Sequence, residues 1–166
     1  MTPSKDTQCC WASASVVPGP SMAIRQGFAV LVKRDDEIIP HHQIAVLLYS
    51  ENLMKNPDAA KRFMRAYLKG VRFYNGALKD GRMHGPNADE VIAILAASTS
   101  IKDPAIYKAI TPTGMNPDGK VNVKSLADDL AFYKEQGLIT GNIRAEQVVD
   151  DSFVDAALKD LGPYKR

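Results

Sequence analysis

The sequence predicts an α/β fold that is mostly helical, with one or two strands near its start. Two apolar runs, GFAVLVK at residues 27–33 and QIAVLLYS at residues 43–50, have the β-branched and aromatic composition of strands. After Ser50 the apolar residues recur at spacings of three and four, which is the period of an amphipathic helix. This change of period predicts at least four helices after the strands.

The composition divides the chain into residues 1–21 and residues 22–166. The first segment combines Ser, Thr, Pro and Gly without a sustained period, so we expect it to be poorly ordered. The second has the length and composition of one globular domain. Because a two-stranded sheet is marginal alone, we expect the two predicted strands to have neighbours upstream that complete the fold.

The predicted helices begin at residues whose side chains can accept a backbone N–H. These cap residues are Asn56, Asn87, Asp103 and Asn122. Pro57 and Pro104 occupy first helical positions, Glu90 forms a capping box with Asn87, and Gly137 follows the last complete turn of its helix. The predicted core stripe of the longest helix is Phe63, Tyr67, Val71, Tyr74 and Leu78. That of the helix within residues 119–139 is Val123, Leu126, Leu130 and Tyr133.

Charge and cysteine content exclude several classes of function. The net charge of +2 is too small for a nucleic-acid partner to be expected. Cys9 and Cys10 are adjacent, which disfavours a disulfide between them and supplies too few ligands for a thiolate metal site.

No run approaches the roughly 18–20 apolar residues of a membrane span, so membrane insertion is not expected. The start of the chain lacks the pattern of an export signal.

Few residues suggest chemistry. The adjacent His41 and His42 could bind a metal ion or hold an anion. Because adjacent residues of a strand point to opposite sides, a structural or solvent-exposed role is favoured for both. The acidic run 35–37 is typical of a solvated turn, and NPDGKVN lacks the ligand spacing of a calcium loop. No hydrolase, zinc-protease, Walker or dinucleotide-binding motif occurs. We therefore predict a protein without enzymatic activity, cofactor or metal.

Three stretches, taken in order, resemble the C-terminal portion of a transporter family. They are DEIIPHHQIAVLLYSENLMKNPDAAKRFMRAYLKGVRFY at 36–74, GKVNVKSLADDLAFYKEQGLI at 119–139 and VVDDSFVDAALKDLGPY at 148–164. The family is that of the substrate-binding proteins of ABC transporters for nitrate, sulfonates, taurine and thiamine precursors. The resemblance covers about residues 22–164 and implies part of a two-lobed type II periplasmic-binding-protein-like fold.

The resemblance implies binding of a small organic or anionic solute between two lobes, with an ABC permease as partner and a periplasmic location. The segment QIAVLLYS resembles the strand that returns from the second lobe, so Pro40, His41, His42 and Gln43 would lie nearest the cleft. His41, His42 and Gln43 are therefore the predicted ligand contacts. The chain departs from the family by lacking an export signal, the start of the first lobe and most of the second. A truncated or misread coding sequence would explain these departures, and such a chain is expected to stay in the cytoplasm.

Two alternatives stay open at this stage. The first is a fragment of a thiamine-pyrimidine synthase of the same fold family, although the HH and CC pairs are sparse for its histidine and cysteine-rich motifs. The second is a truncated product that binds nothing. A regulatory input domain would require an attached signalling or DNA-binding segment, which the sequence does not encode.

Overall fold

The structure is a computed structural model that describes residues 19–165, and these form eight α-helices and one 3₁₀ helix. The α-helices are α1 Gly19–Arg25, α2 Asp35–Ile38, α3 Glu51–Met54, α4 Pro57–Gly76, α5 Ala88–Ser98, α6 Pro104–Ala109, α7 Val123–Glu135 and α8 Ser152–Leu161. The 3₁₀ helix, Ala145–Gln147, lies between α7 and α8. The predicted segment 1–21 falls mostly outside the described residues, as do Cys9 and Cys10, while residues 19–21 belong to α1.

The predicted α/β fold is wrong for the part of the chain that the structure describes. Residues 27–33 and 43–50 form no strand, and the only bridge within residues 19–165 is the isolated pair Lys79 and Arg82. The two-lobed periplasmic-binding-protein-like architecture is therefore not found either. A strand exists only when a neighbour pairs with its backbone, and neither run has such a neighbour here. The side chains of the first run lie largely in solvent, with Phe28 81% and Val32 91% exposed, whereas Tyr49 of the second run packs against the cluster between α4 and α8.

The helical part of the prediction is confirmed, including most of the helix starts. Six α-helices and the 3₁₀ helix follow Ser50 in the described residues. The side chains of Asn56, Asp103 and Asn122 accept backbone N–H groups of α4, α6 and α7, respectively. The capping box at Asn87 is wrong, because the Nδ2 of Asn87 instead donates to the carbonyl of Phe73 at 2.7 Å and its side chain makes no cap bond.

Helix α4 is central because it contacts both hydrophobic clusters of the described chain. Met64 and Leu68 pack against Val154 and Ala157 of α8. Near the other end of α4, Tyr74 packs against the second cluster, which consists of Ala77, Met83, Ala88, Val91, Ile92, Tyr107 and Ile110. The predicted core stripe is only partly correct, since Phe63 is 46% and Tyr67 37% exposed. The buried face of α4 consists of Ala60, Met64, Leu68 and Val71, because α8 packs on that side.

Arg72 of α4 forms hydrogen bonds with the loop before α7 and with the end of α8. Its guanidinium donates to the carbonyl of Pro117 at 3.0 Å, to the carboxylate of Asp118 at 2.8 Å and to the carbonyl of Gly162 at 2.7 Å. Asp118 also accepts from the backbone N–H of Tyr164 at 2.8 Å. The sequence NPDG therefore forms a turn whose position is set by a cation of α4.

Arg72→Met is expected to lower the free energy of unfolding by about 2 kcal/mol, because it removes the guanidinium that bonds two carbonyls and pairs with the partly buried carboxylate of Asp118. Urea denaturation followed by circular dichroism measures the change. The matched control is Arg65→Met on the same helix, whose exposed side chain makes a single 3.3 Å contact with Asp160 and should cost about 0.5 kcal/mol or less. Equal costs for the two variants would contradict the role assigned to Arg72.

Candidate functional site

The three residues predicted to contact a ligand lie where the segment after α2 meets the start of α7. His41 adopts a left-handed backbone conformation, with φ of 63°, which turns the chain between α2 and residues 43–49. Its carbonyl accepts a hydrogen bond from Nδ2 of Asn122 at 2.8 Å, while its side chain is exposed. The backbone of His41 thus holds the turn, and its imidazole faces solvent.

His42 lies between two carboxylates from different helices. Its Nδ1 is 2.9 Å from Oδ2 of Asp35 in α2, and its Nε2 is 3.3 Å from Oδ1 of Asp129 in α7. The hydrogen bond with Asp35 raises the pKa of His42 above its ordinary value; partial burial opposes this effect, and Asp129 adds to it. The two carboxylates therefore stabilise the protonated form of the ring relative to a free imidazole.

Gln43 attaches the same segment to α7 through its backbone and its side chain. Its N–H donates to Oγ of Ser125 at 2.9 Å, and its Oε1 accepts from the backbone N–H of Asn122 at 2.8 Å. Its Nε2 donates to the carbonyl of Ala45 at 2.6 Å. Ser125 is buried, although it is polar and was not singled out in the sequence. The side chains of His42 and Gln43 are thus engaged in intramolecular bonds, whereas the side chain of His41 is exposed.

A groove of about 440 Å³ begins at Gln43 and runs between residues 43–46 and α7. Its volume is in the range of small-molecule sites. Apolar side chains form most of its surface: Ile44, Ala45, Val46, Leu126, Leu130, Tyr133, Ile139, Ile143, Ala145 and Val148. Its polar residues are Gln43, Asp129 and Arg144. The α7 stripe predicted as core, Leu126, Leu130 and Tyr133, therefore forms a wall of this groove.

Arg144 is the cation of the groove, and the sequence analysis did not identify it. Its backbone N–H donates to Oε1 of Gln147 at 2.8 Å, while within residues 19–165 no carboxylate lies within ion-pair distance of its guanidinium. Asp129, in contrast, has the imidazole of His42 as a partner. No motif marks Arg144, and only its closeness to the α7 stripe in the folded chain reveals it.

The described residues contain neither a group of metal ligands nor a helix that could span a membrane. Between residues 19 and 165, no three His, Cys, Asp or Glu side chains come together in a way that would hold a metal ion. None of the helices in that range has both the length and the apolar composition needed to cross a bilayer.

Comparison of the chain with protein-family models, with curated proteins and with solved structures finds no match. The groove and the residues around it are therefore interpreted from their own geometry and chemistry.

Proposed function

We propose that the chain is part of the solute-binding component of an ABC importer, and that its groove takes a small organic solute with an anionic group. The observation that carries the proposal is the groove itself, in which apolar side chains adjoin Arg144, a residue whose guanidinium has no carboxylate within ion-pair distance among residues 19–165. The groove begins at Gln43, one of the three residues predicted to contact a ligand. Binding needs no covalent chemistry and no cofactor. An ABC permease would be the protein partner.

Among the solutes suggested by the sequence resemblance, the groove favours alkanesulfonates. The planar guanidinium of Arg144 can donate two parallel hydrogen bonds to the oxygens of a sulfonate. The apolar wall formed by Leu126, Leu130 and Tyr133 suits an alkyl chain. Nitrate and taurine carry little apolar surface, so they would bind the guanidinium but gain little from contact with the apolar wall.

The affinity of the 166-residue chain is expected to be low. Ile44, Val46 and Tyr133 line the groove but remain about half exposed, so a bound solute would stay in contact with water on one side. A binding site gains affinity by surrounding most of its ligand. We expect a dissociation constant of about 1 mM or weaker for this chain.

Amide NMR titration with hexanesulfonate tests the proposal, with taurine, nitrate and the thiamine pyrimidine as further solutes. Hexanesulfonate is expected to shift the amides of residues 43–46 and 139–148. Arg144→Gln should weaken binding by about fivefold or more, because it removes the charge that pairs with the sulfonate. The matched control Arg62→Gln removes an exposed guanidinium elsewhere on the surface and should leave binding unchanged.

Hexylammonium is the ligand control, since it has the same alkyl chain and the opposite charge. Equal binding of hexylammonium and hexanesulfonate would contradict the role of Arg144, and the absence of groove shifts with all four solutes would contradict the proposed site. Micromolar binding would contradict the expected low affinity. The genomic neighbourhood tests the assignment to an importer, because permease and ATPase genes should lie beside the coding sequence.

A further inference from the structure

We propose that protonated His42 is a pH-sensitive fastener that holds the two walls of the groove together. The fastening rests on geometry alone, whereas its effect on solute binding rests on the proposed function. His42 precedes Gln43, where one wall of the groove begins, and Asp129 is part of the opposite wall on α7. A bond between His42 and Asp129 therefore connects the walls.

Both ring nitrogens of His42 face carboxylate oxygens, Nδ1 at 2.9 Å from Asp35 and Nε2 at 3.3 Å from Asp129. An ionised carboxylate only accepts hydrogen bonds, and a neutral imidazole has only one N–H to donate. Both bonds can therefore exist together only when the ring carries two protons. Loss of one proton removes a donor and leaves one of the two carboxylates facing a nitrogen lone pair.

The other bonds across this junction join neutral groups. They are the contacts of the Gln43 backbone with Ser125, of the Gln43 side chain with Asn122, and of the His41 carbonyl with Asn122. None of these groups titrates near neutral pH. His42 is thus the one member of this junction whose bonding changes in that range.

The charged groups that face the His42 ring are Asp35 of α2 and Asp129 of α7. Nearby charges are paired elsewhere, Lys124 with Asp128 within α7 and Arg34 with Asp36 and Glu37. Because the pKa of His42 is raised in the folded chain, its stabilising contribution is complete below the ordinary value of 6.5. The contribution is lost as the pH rises through the raised pKa.

The same deprotonation changes the charge of the groove. While His42 is protonated, its positive charge compensates that of Asp129 beside the apolar wall. After deprotonation, Asp129 remains as an uncompensated anion in a groove proposed to bind an anionic solute. Rising pH should therefore loosen the walls and weaken anion binding together.

Hydrogen exchange of the ligand-free chain tests the fastener without reference to any solute. The amides of Gln43 and Asn122 both donate across the junction, so their protection factors report how firmly it is closed. Between about pH 5 and about pH 9 we expect both protection factors to fall roughly two- to five-fold, the range for a partly exposed ion pair. The midpoint should coincide with the titration of the His42 ring, followed by NMR of its ring nitrogens.

Three variants make the test specific. His42→Gln should abolish the pH-dependent step in protection, and Asp129→Asn should move the midpoint of the His42 ring to lower pH. His84→Gln is the matched control, because it removes an exposed histidine that lies outside this junction; it should leave both the step and the midpoint unchanged. Protection factors that do not change through the His42 midpoint would overturn the fastener, as would a midpoint unaffected by Asp129→Asn.

Failure of the fastener and failure of the proposed function are distinguishable. If hexanesulfonate does not bind but the exchange step occurs at the His42 midpoint, the fastener stands and the solute proposal fails. If hexanesulfonate binds with an affinity that is constant from about pH 5 to about pH 9, and the exchange step is missing, the groove stands and the fastener fails.

Discussion

Leu68→Ala lowers the free energy of unfolding by about 3–5 kcal/mol, the largest effect expected of a single side chain in this protein. Leu68 is fully buried between α4 and α8, where it packs with Met64, Val154 and Ala157. Truncation removes its apolar contacts and leaves a cavity that these neighbours fill only in part. Urea denaturation monitored by circular dichroism measures the loss as a lower midpoint.

Tyr67→Ala is the matched control, because it truncates a larger side chain on the adjacent position of the same helix. Tyr67 is 37% exposed and outside both hydrophobic clusters, so its cost should be about 1 kcal/mol or less. Periodicity in the sequence placed Tyr67 in the core and therefore predicted a large cost for this substitution. A larger loss for Tyr67→Ala than for Leu68→Ala would show that the sequence-based stripe is correct and that α8 does not cover Leu68.

Gly119→Ala is expected to lower the free energy of unfolding by about 2–4 kcal/mol, for two separate reasons. Gly119 has φ of 70°, a left-handed conformation that a residue with a Cβ adopts at a cost of roughly 1–2 kcal/mol. In addition, a Cβ at this position would lie 2.5 Å from Cδ2 of Leu68, far inside van der Waals contact. Gly119 therefore permits the turn after Asp118 to approach the core of α4 and α8.

A matched glycine separates the two contributions. Gly137 has φ of 71°, but a Cβ there would meet nothing within 4 Å. Gly137→Ala should thus show only the backbone cost, about 1–2 kcal/mol. An equal loss for the two substitutions would contradict the predicted clash with Leu68.

The double variant Leu68→Ala with Gly119→Ala gives a second check by a different measurement. Removing the Leu68 side chain makes room for the new Cβ, so the cost of Gly119→Ala should fall toward that of Gly137→Ala. The coupling expected in this double-mutant cycle is about 1–2 kcal/mol. Additive costs would mean that the backbone around Gly119 relaxes and that Leu68 does not limit its approach.

Local signals in the sequence were enough to predict most helices. Asn56, Asp103 and Asn122 cap α4, α6 and α7 as predicted, because the cap interaction involves only residues two or three positions apart. The apolar residues of α8 follow helical spacing too, and in the structure Val154 and Ala157 are buried while Phe153, Leu158 and Leu161 pack beside them. These properties depend on neighbours in the chain, which the sequence displays directly.

The candidate site was predictable in part. Resemblance and position in the sequence singled out His41, His42 and Gln43, and of these three only Gln43 lines the groove. Arg144 was missed, because no local pattern distinguishes it from other exposed arginines. The pairing of His42 with Asp129 was missed as well, since 87 positions separate them in the chain.

By itself, the sequence determined where α4, α6 and α7 begin and that these starts are capped, because cap and helix hydrogen bonds close within four residues. Tertiary structure alone decided whether residues 27–33 and 43–50 become strands. Their composition suits strands, but a ladder requires partner backbone groups, and the described chain supplies none. The buried face of α4 was decided in the same way, because periodicity offers more than one apolar face and the packing of α8 selects the one that contains Leu68.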